Sequence, residues 1–539
     1  MPWWVSPIRR RSGCYPSSQT MFTAARIWFL VAWACPTVAL IGGGLPTDRL
    51  CAAFIAAALS GALICALPVA GFRVARLVTL LLLPVSWLWV GYVSLNGMGP
   101  SASDALGMLA NTTFVEATTA LHLVANTKSV LIGLLQAASL AVSFACGRPH
   151  ASHRATPVMA SLLLVLMVIA WLPRLMREAP SFLPGRDDVQ NFAYGSLLDL
   201  ADAWVDHRAL IGAAGRHGPP RGTPRERRVT GDIDAVFILG ETFRFDRPWD
   251  LRDAGGAWSA LDARFRAGLG AFLPKVCASA DSTAASVPML VSGTSPERPQ
   301  DAALAPSGLA RLAAAGYETA WISNQGEDFF SNERRDLVWV AEGYANQYDD
   351  ALLPIAAAFL GRGDHRNKAL LIHLMDSHAA YQDRYPPAAE PAGLDEERLE
   401  LLRYRRANDH TATILARIAR LLDGLPTPAF AIYVADHGEN LLVDHNGLHY
   451  HVGARTTARA AYVPSFVFWN RAFLSTADPN ARLRSIMAAP SLAHADVYAI
   501  WMNFGGLPAD LSPTAEPKIL GKAKLTDAVG PVPCARLAP

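Results

Sequence analysis

Cysteine is scarce in this chain of 539 residues, which has seven. Cys35, Cys51, Cys65 and Cys146 fall in or at the edge of apolar runs, and no two cysteines are spaced as CxxC. That argues against a zinc site built on paired cysteines. Net charge is also small. The 48 Lys and Arg against 46 Asp and Glu leave +2, so the charge balance points to no nucleic-acid partner. The first third of the chain has few charges of either sign. Its first apolar run does not read as a cleavable leader, since no small-residue cleavage site is followed by a mature soluble start. What the chain does have is length and apolar residues, 51% of the total. That length calls for at least two structural units.

Five apolar runs stand out, at 27–43, 51–71, 77–95, 129–147 and 156–173. Each is about long enough to cross a bilayer, which takes roughly 17–25 residues. The alternative, five buried core helices, would need a very large soluble core. Arg9, Arg10, Arg11 and Arg26 lie at the N-terminus, Arg73 and Arg76 in the second connection, and Arg148 and Arg154 in the fourth. The first and third connections carry only Arg49 and Lys128. This bias puts the N-terminus in the cytoplasm, and an odd number of spans then puts everything after about residue 174 on the far side. Met21 serves as well as Met1 for a start. In the third connection, 96–128, Thr112 and Glu116 are four apart and share a face if the segment is helical. Such a face could meet a lipid headgroup or be only a solvated surface. The expected division is a membrane domain at 1–173, a bridging linker at 174–232 and an exported domain at 233–539. The linker is rich in Arg, Gly and Pro over 208–228, a composition that packs no core. It is either a plain spacer or a strip along anionic lipid.

From about 233 short apolar strands alternate with helices. The strands expected are 235–239, 319–323, 369–374, 429–435 and 466–469. Helices are expected at 307–315, at 399–422 and just after Thr283. Runs without alternation suggest strands buried on both faces, and strand–helix alternation suggests a mostly parallel α/β sheet. In such sheets ligands bind at the carboxyl ends of strands. Four polar clusters fall there: GET at 240–242, SNQ at 323–325, MDSH at 375–378 and DHGE at 436–439. Ordinary caps and turns would explain one or two of them, but not the set.

The stretch ASADSTAASVP, at 278–288, places the Thr283 hydroxyl just ahead of a helix. A hydroxyl attacks phosphorus when a metal or a base activates it, and a helix N-terminus favours phosphate oxygens. Ser279 and Ser282 are alternative nucleophiles, and a plain helix cap is the bland reading. Glu241, Asp436 and His437, with the threonine oxygen, make a tetrahedral donor set suited to zinc. His378, His445, His449 and His451 are further imidazoles that could take a second metal, orient a phosphate or protonate a leaving group.

GET, STAxSVP, SHxxYxxRYP and DHGE together resemble the phosphoethanolamine transferases of Gram-negative bacteria. These form part of the sulfatase-like branch of the alkaline phosphatase superfamily. The resemblance covers nearly the whole chain. It implies a five-helix transmembrane N-terminal domain followed by an alkaline-phosphatase-like α/β/α sandwich. It also implies a multi-pass inner-membrane protein, expected to be a monomer, with its catalytic domain in the periplasm. By the same resemblance Glu241, Thr283, Asp436 and His437 bind a catalytic zinc ion, with a second ion left open. Thr283 takes phosphoethanolamine from phosphatidylethanolamine and passes it to lipid A, lipopolysaccharide core or another periplasmic glycan. His378 contacts the phosphate or a second zinc ion, either His449 or His451 joins the substrate-binding set, and Thr112 and Glu116 contact the donor headgroup. Other superfamily activities, such as phosphoglycerol transfer, phosphatase or sulfatase-like hydrolysis, are the alternative. A sulfatase oxidises Cys or Ser to an aldehyde, and Thr283 cannot serve so. This chain departs from the family pattern at Met108 (for Asn), Phe243 (in GETFR for GETAR) and Met289 (for the Cys after SVP). Cys277 and Cys534 are the only cysteines of the exported domain, and whether they pair is left open.

Overall fold

The computed structural model describes residues 18–40, 57–96 (without 59, 63 and 68), 127–146, 229 and 231–539. The last range lacks 247–255, 304, 326–334, 341–347, 364–366, 446–447, 449, 451–454 and 523–529. The chain divides into two compact units.

The first unit contains α1 (Ser18–Ala34), α2 (Val69–Leu81), α3 (Leu83–Asn96) and α4 (Thr127–Cys146). The expected runs at 27–43, 77–95 and 129–147 fall on these helices. The run at 51–71 is described from 57 onward, and 156–173 lies outside the described residues. Among the described residues one helix, Ser129–Cys146, is by itself long and apolar enough to cross a membrane, and α2 and α3 form a pair bent by 55°. Arg73 and Arg76, expected in a connection, lie inside α2. The reason is visible at Arg76, which is 3% exposed. Its Nη1 donates to the Ser143 carbonyl at 2.5 Å. Its guanidinium lies 5.1 Å from the Phe72 ring centre and 4.6 Å from that of Phe144. A charge met by a carbonyl and two ring faces does not have to end a helix.

The second unit is built on a seven-stranded sheet in the order β2-β9-β7-β1-β6-β4-β5. All five expected strands are in it: β1 (Asp234–Gly240), β4 (Glu318–Ser323), β6 (Lys368–His373), β7 (Ala429–Ala435) and β9 (Ser465–Trp469). β1, β6 and β7 are buried along their whole length, as their unbroken apolar runs require. β7, β1, β6, β4 and β5 (Leu337–Val340) run parallel, β9 is antiparallel to β7, and β2 (Gly270–Phe272), antiparallel to β9, returns to the direction of the parallel strands. Helices cover both faces. On one side lie α5 (Gly256–Arg266), α8 (Leu352–Leu360) and α9 (Glu396–Asp423). On the other lie α6 (Thr283–Ser292), α7 (Gly308–Ala314) and α10 (His494–Phe504). Asp395 caps α9 by accepting from the Arg398 amide at 2.9 Å. Its buried Tyr404, Ala407, Thr411, Ile414, Ile418 and Leu422 recur at helical spacing on the face turned to the sheet. Opposite, Trp501 of α10 packs 4.5 Å from Phe237 of β1.

A small sheet of β10 (Leu492–Ala493), β3 (Val276–Cys277) and β8 (Tyr462–Val463), and the hairpin β11 (Lys518–Gly521) with β12 (Gly530–Pro533), complete the unit. Cys277, ending β3 (Val276–Cys277), is disulfide-bonded to Cys534. The Leu520 amide donates to the Ser279 carbonyl at 2.8 Å. The C-terminal hairpin is therefore strapped to the segment that leads into Thr283.

Candidate metal centre

Glu241 follows β1, and Asp436 and His437 follow β7, its neighbour in the sheet. The parallel register pairs Gly240 with Ala435, so the two strands end side by side. All three side chains are fully buried. Gly240 is required by crowding, since a Cβ there would lie 2.4 Å from both Asp376 Oδ2 and the Tyr433 hydroxyl. Gly438 is required likewise, because its Cβ would meet the Arg459 carbonyl at 2.2 Å.

Thr283 is the first residue of α6, after Ser282 at the cap. Its Oγ1 donates to Glu241 Oε1 at 3.0 Å and lies 3.2 Å from Oε2 and from His437 Nε2. His437 Nε2 is 3.4 Å from Glu241 Oε1 and 3.2 Å from Asp436 Oδ2. One ligand atom from each of Glu241, Asp436 and His437 falls within 4.8 Å of the others. The imidazole is fixed by its other nitrogen: Nδ1 lies 2.9 Å from the Gly438 carbonyl, which can only accept, so Nδ1 carries the proton. Nε2 therefore turns a lone pair towards two carboxylates. No hydrogen bond of ordinary geometry reaches the buried Asp436 Oδ2. Burial pushes Asp436 up to about 7. It also raises Glu241 well above the usual carboxylate range, with the Asp436 charge adding to the shift. Acceptors converging around one hydroxyl proton fit a bound cation, which would hold both carboxylates ionised.

Several residues that the sequence did not single out complete the site. Gln325, at the end of the SNQ cluster, donates from Nε2 to Glu241 Oε2 and to the Leu374 carbonyl, each at 2.9 Å. Asp376 accepts from the Glu241 amide at 3.2 Å and from the Thr411 and Tyr433 hydroxyls. His494 Nδ1 accepts from the Ser279 amide at 3.0 Å, and its Nε2 donates to the Ala435 carbonyl at 3.1 Å. It thus ties the nucleophile segment to the end of β7, and burial lowers it to about 3, keeping it neutral. The Ser286 hydroxyl donates to the Asp436 carbonyl at 2.7 Å. The last residue of DHGE, Glu439, accepts from Tyr381 at 2.7 Å instead of joining the cluster.

Of the three candidate hydroxyls, Thr283 is the one that meets the acidic cluster. Ser279 is buried against His494, and Ser282 makes no side-chain cap bond. His378 sits in the turn after β6, with Nδ1 2.7 Å from the Ala379 carbonyl, and is not among the converging ligands. His445 is on the surface, 3.3 Å from Glu397. His449, His451, Thr112 and Glu116 lie outside the described residues. Phe243 points away from the metal ligands, packing on Trp258 and Tyr433.

A family model described as Sulfatase matches residues 234–506, just over half of the chain. The chain belongs to the sulfatase family. Within it the relatives are transferases. The putative transferase YhbX of Escherichia coli K12 is 25% identical over 250 residues, covering 45% of this chain and 44% of that protein. Phosphoethanolamine transferase EptC of Escherichia coli O18:K1:H7 is 23% identical over 232 residues, covering 38% and 39%. The matches thus span about two fifths of these curated relatives. Among solved structures, the integral membrane lipooligosaccharide phosphoethanolamine transferase EptA of Neisseria meningitidis superposes with a TM-score of 0.61 at 16% identity. That match covers 92% of this chain and 96% of EptA. The periplasmic domain of Escherichia coli EptC gives 0.50 at 19% identity, covering 59% of this chain and 97% of that domain. At these identities the superpositions speak for the fold: a sulfatase-like mixed α/β domain around a central sheet.

Proposed function

We propose that this chain is a zinc-dependent phosphoethanolamine transferase. It would act through a phospho-threonine intermediate at Thr283, with phosphatidylethanolamine as donor and an envelope glycan or lipid A as acceptor. The observation that carries the reading is Thr283 Oγ1 at the head of α6, 3.0 Å from Glu241 and 3.2 Å from His437. The family match and the transferase relatives support it. Glu241, Asp436, His437 and the Thr283 oxygen would hold the zinc ion, which when bound makes the hydroxyl acidic and offsets charge on the phosphoryl oxygens.

The rest falls to the protein. Thr283 Oγ1 attacks the donor phosphorus, the bond from phosphorus to the diacylglycerol oxygen breaks, and diacylglycerol leaves with a proton. Glu241, already accepting from the hydroxyl, is placed to take the threonine proton. The amides that open α6 face the phosphate oxygens. His378 is our candidate for the proton given to the leaving oxygen. An acceptor hydroxyl or phosphate then attacks the phospho-threonine, and Thr283 regains its proton. The five-span anchor, the inner-membrane location with a periplasmic catalytic domain, the monomeric state and the headgroup contacts from Thr112 and Glu116 belong to the same proposal. So does a phosphate role for His449 or His451. The test is release of diacylglycerol from phosphatidylethanolamine by the full chain in detergent with zinc. Release by wild type and none by Thr283→Ala is expected. Equal release by both would overturn the reading.

A further inference from the structure

Glu241 is held at nearly every polar atom. Its amide donates to Asp376 at 3.2 Å, and its carbonyl accepts from the Ser377 hydroxyl at 3.0 Å. Its Oε2 accepts from Gln325 at 2.9 Å. Of its two carboxylate oxygens Oε1 is the nearer to Thr283 Oγ1, at 3.0 Å against 3.2 Å, and it lies 3.4 Å from His437 Nε2. The two carboxylate oxygens therefore have different surroundings, and the difference comes from Gln325.

Gln325 is 5% exposed and lies just beyond β4. Its backbone is fixed by Ser323, whose hydroxyl donates to the Gln325 carbonyl at 2.7 Å and accepts from its amide at 3.1 Å. The side-chain NH2 has two protons, and both are used, on Glu241 Oε2 and on the Leu374 carbonyl. Both partners are acceptors, so the amide cannot be turned over: its oxygen would then face a carboxylate and a carbonyl. No other residue type of this length offers two donors here without bringing a charge.

Resting on the metal-site reading above, we propose that Gln325 is the positioning residue of the centre. It keeps Glu241 Oε2 engaged and presents Oε1 alone as the ligand atom. A carboxylate freed at Oε2 can rotate or bind through both oxygens, which changes the coordination number and moves the partner of the Thr283 hydroxyl. Contacts of this kind behind a ligand are worth about 10–100-fold in metal affinity.

The test uses full-length protein in detergent, first stripped of metal. Zinc affinity is measured by chelator competition, and the visible spectrum is recorded after cobalt(II) loading. Cobalt absorbs strongly with four ligands and more weakly with five or six. Wild type, Glu241→Ala, Gln325→Leu and Gln325→Glu are compared. Gln325→Leu removes the donors at similar volume. Gln325→Glu turns a donor into an acceptor facing Glu241, and both variants should weaken zinc about 10–100-fold and weaken the cobalt bands. Melting of the metal-free proteins shows whether either variant simply misfolds, and Gln325→Asn supplies a second donor-bearing control that should recover part of the affinity. If Glu241→Ala loses metal while both Gln325 variants keep wild-type affinity and spectrum, the positioning role is wrong and the metal site stands. If wild type binds neither ion, both fall.

Discussion

Replacing Cys277 and Cys534 together by alanine separates what holds the nucleophile from what holds the metal. The bond joins positions 257 residues apart whose Cα atoms are 6.2 Å apart. For a loop of that length the chain-entropy relation gives about 5.5 kcal/mol, just above the roughly 2–5 kcal/mol that losing a native disulfide usually costs. A domain of this size shifts by about 2 °C per kcal/mol, so melting should fall by roughly 5–10 °C. The functional consequence is local. Cys277 ends the strand that leads to Thr283, whereas Glu241, Asp436 and His437 directly follow β1 and β7. The bond braces the nucleophile segment from the side before Thr283, where the family pattern would place a cysteine after it and this chain has Met289. The hairpin would still be tied by the Leu520–Ser279 bond and through Thr456, whose hydroxyl accepts from the Lys522 amide at 3.1 Å and donates to Asp281 at 2.5 Å. Transfer should therefore slow more than zinc affinity falls, since three of the four proposed ligands lie outside the braced segment. The assay is melting and zinc titration of the full-length protein in detergent, with and without reductant, beside the double variant. If reductant and double substitution both leave melting unchanged, the disulfide contributes nothing and the reasoning fails. If zinc affinity falls as steeply as rate, the separation of brace from metal site is wrong.

Two further outcomes are expected. Chelation should abolish diacylglycerol release and lower melting, and zinc should restore both. Glu241→Gln and Asp436→Asn should each lose that metal-dependent rise, and a chelated enzyme at full rate would contradict this. His494 is buried neutral and lowered to about 3 from an ordinary 6.5. The unfolded chain thus binds its proton more readily, and the stability it brings is complete above about 6.5 and lost as pH falls towards 3, by up to about 5 kcal/mol. His494→Gln should flatten that slope in acid melts. A variant as pH-sensitive as wild type would refute the role.

How much of this was legible in the sequence follows from the range of each interaction. The five sheet strands were readable because each is a short unbroken apolar run. The ends of those runs carried the polar clusters that turned out to converge. Edge strands β2 and β5 were missed, since three or four residues carry too little pattern. That β9 runs antiparallel depends on chain return, which no local signal reports. Arg76 misled because its burial against Ser143, Phe72 and Phe144 is a tertiary event. Gln325 lay inside a noticed cluster, but its role needs the position of Glu241, 84 residues earlier. His494 had no motif around it, and its partners are over 200 residues and 59 residues away. The Cys277–Cys534 pair was left open for the same reason.

The central claim is that Thr283 carries the transferred group. Full-length protein with zinc and phosphatidylethanolamine, quenched without an acceptor and digested, should yield the Thr283 peptide heavier by one phosphoethanolamine unit, and Thr283→Ala should yield none. An unmodified Thr283 peptide during active turnover, or the same adduct surviving in Thr283→Ala, would contradict it.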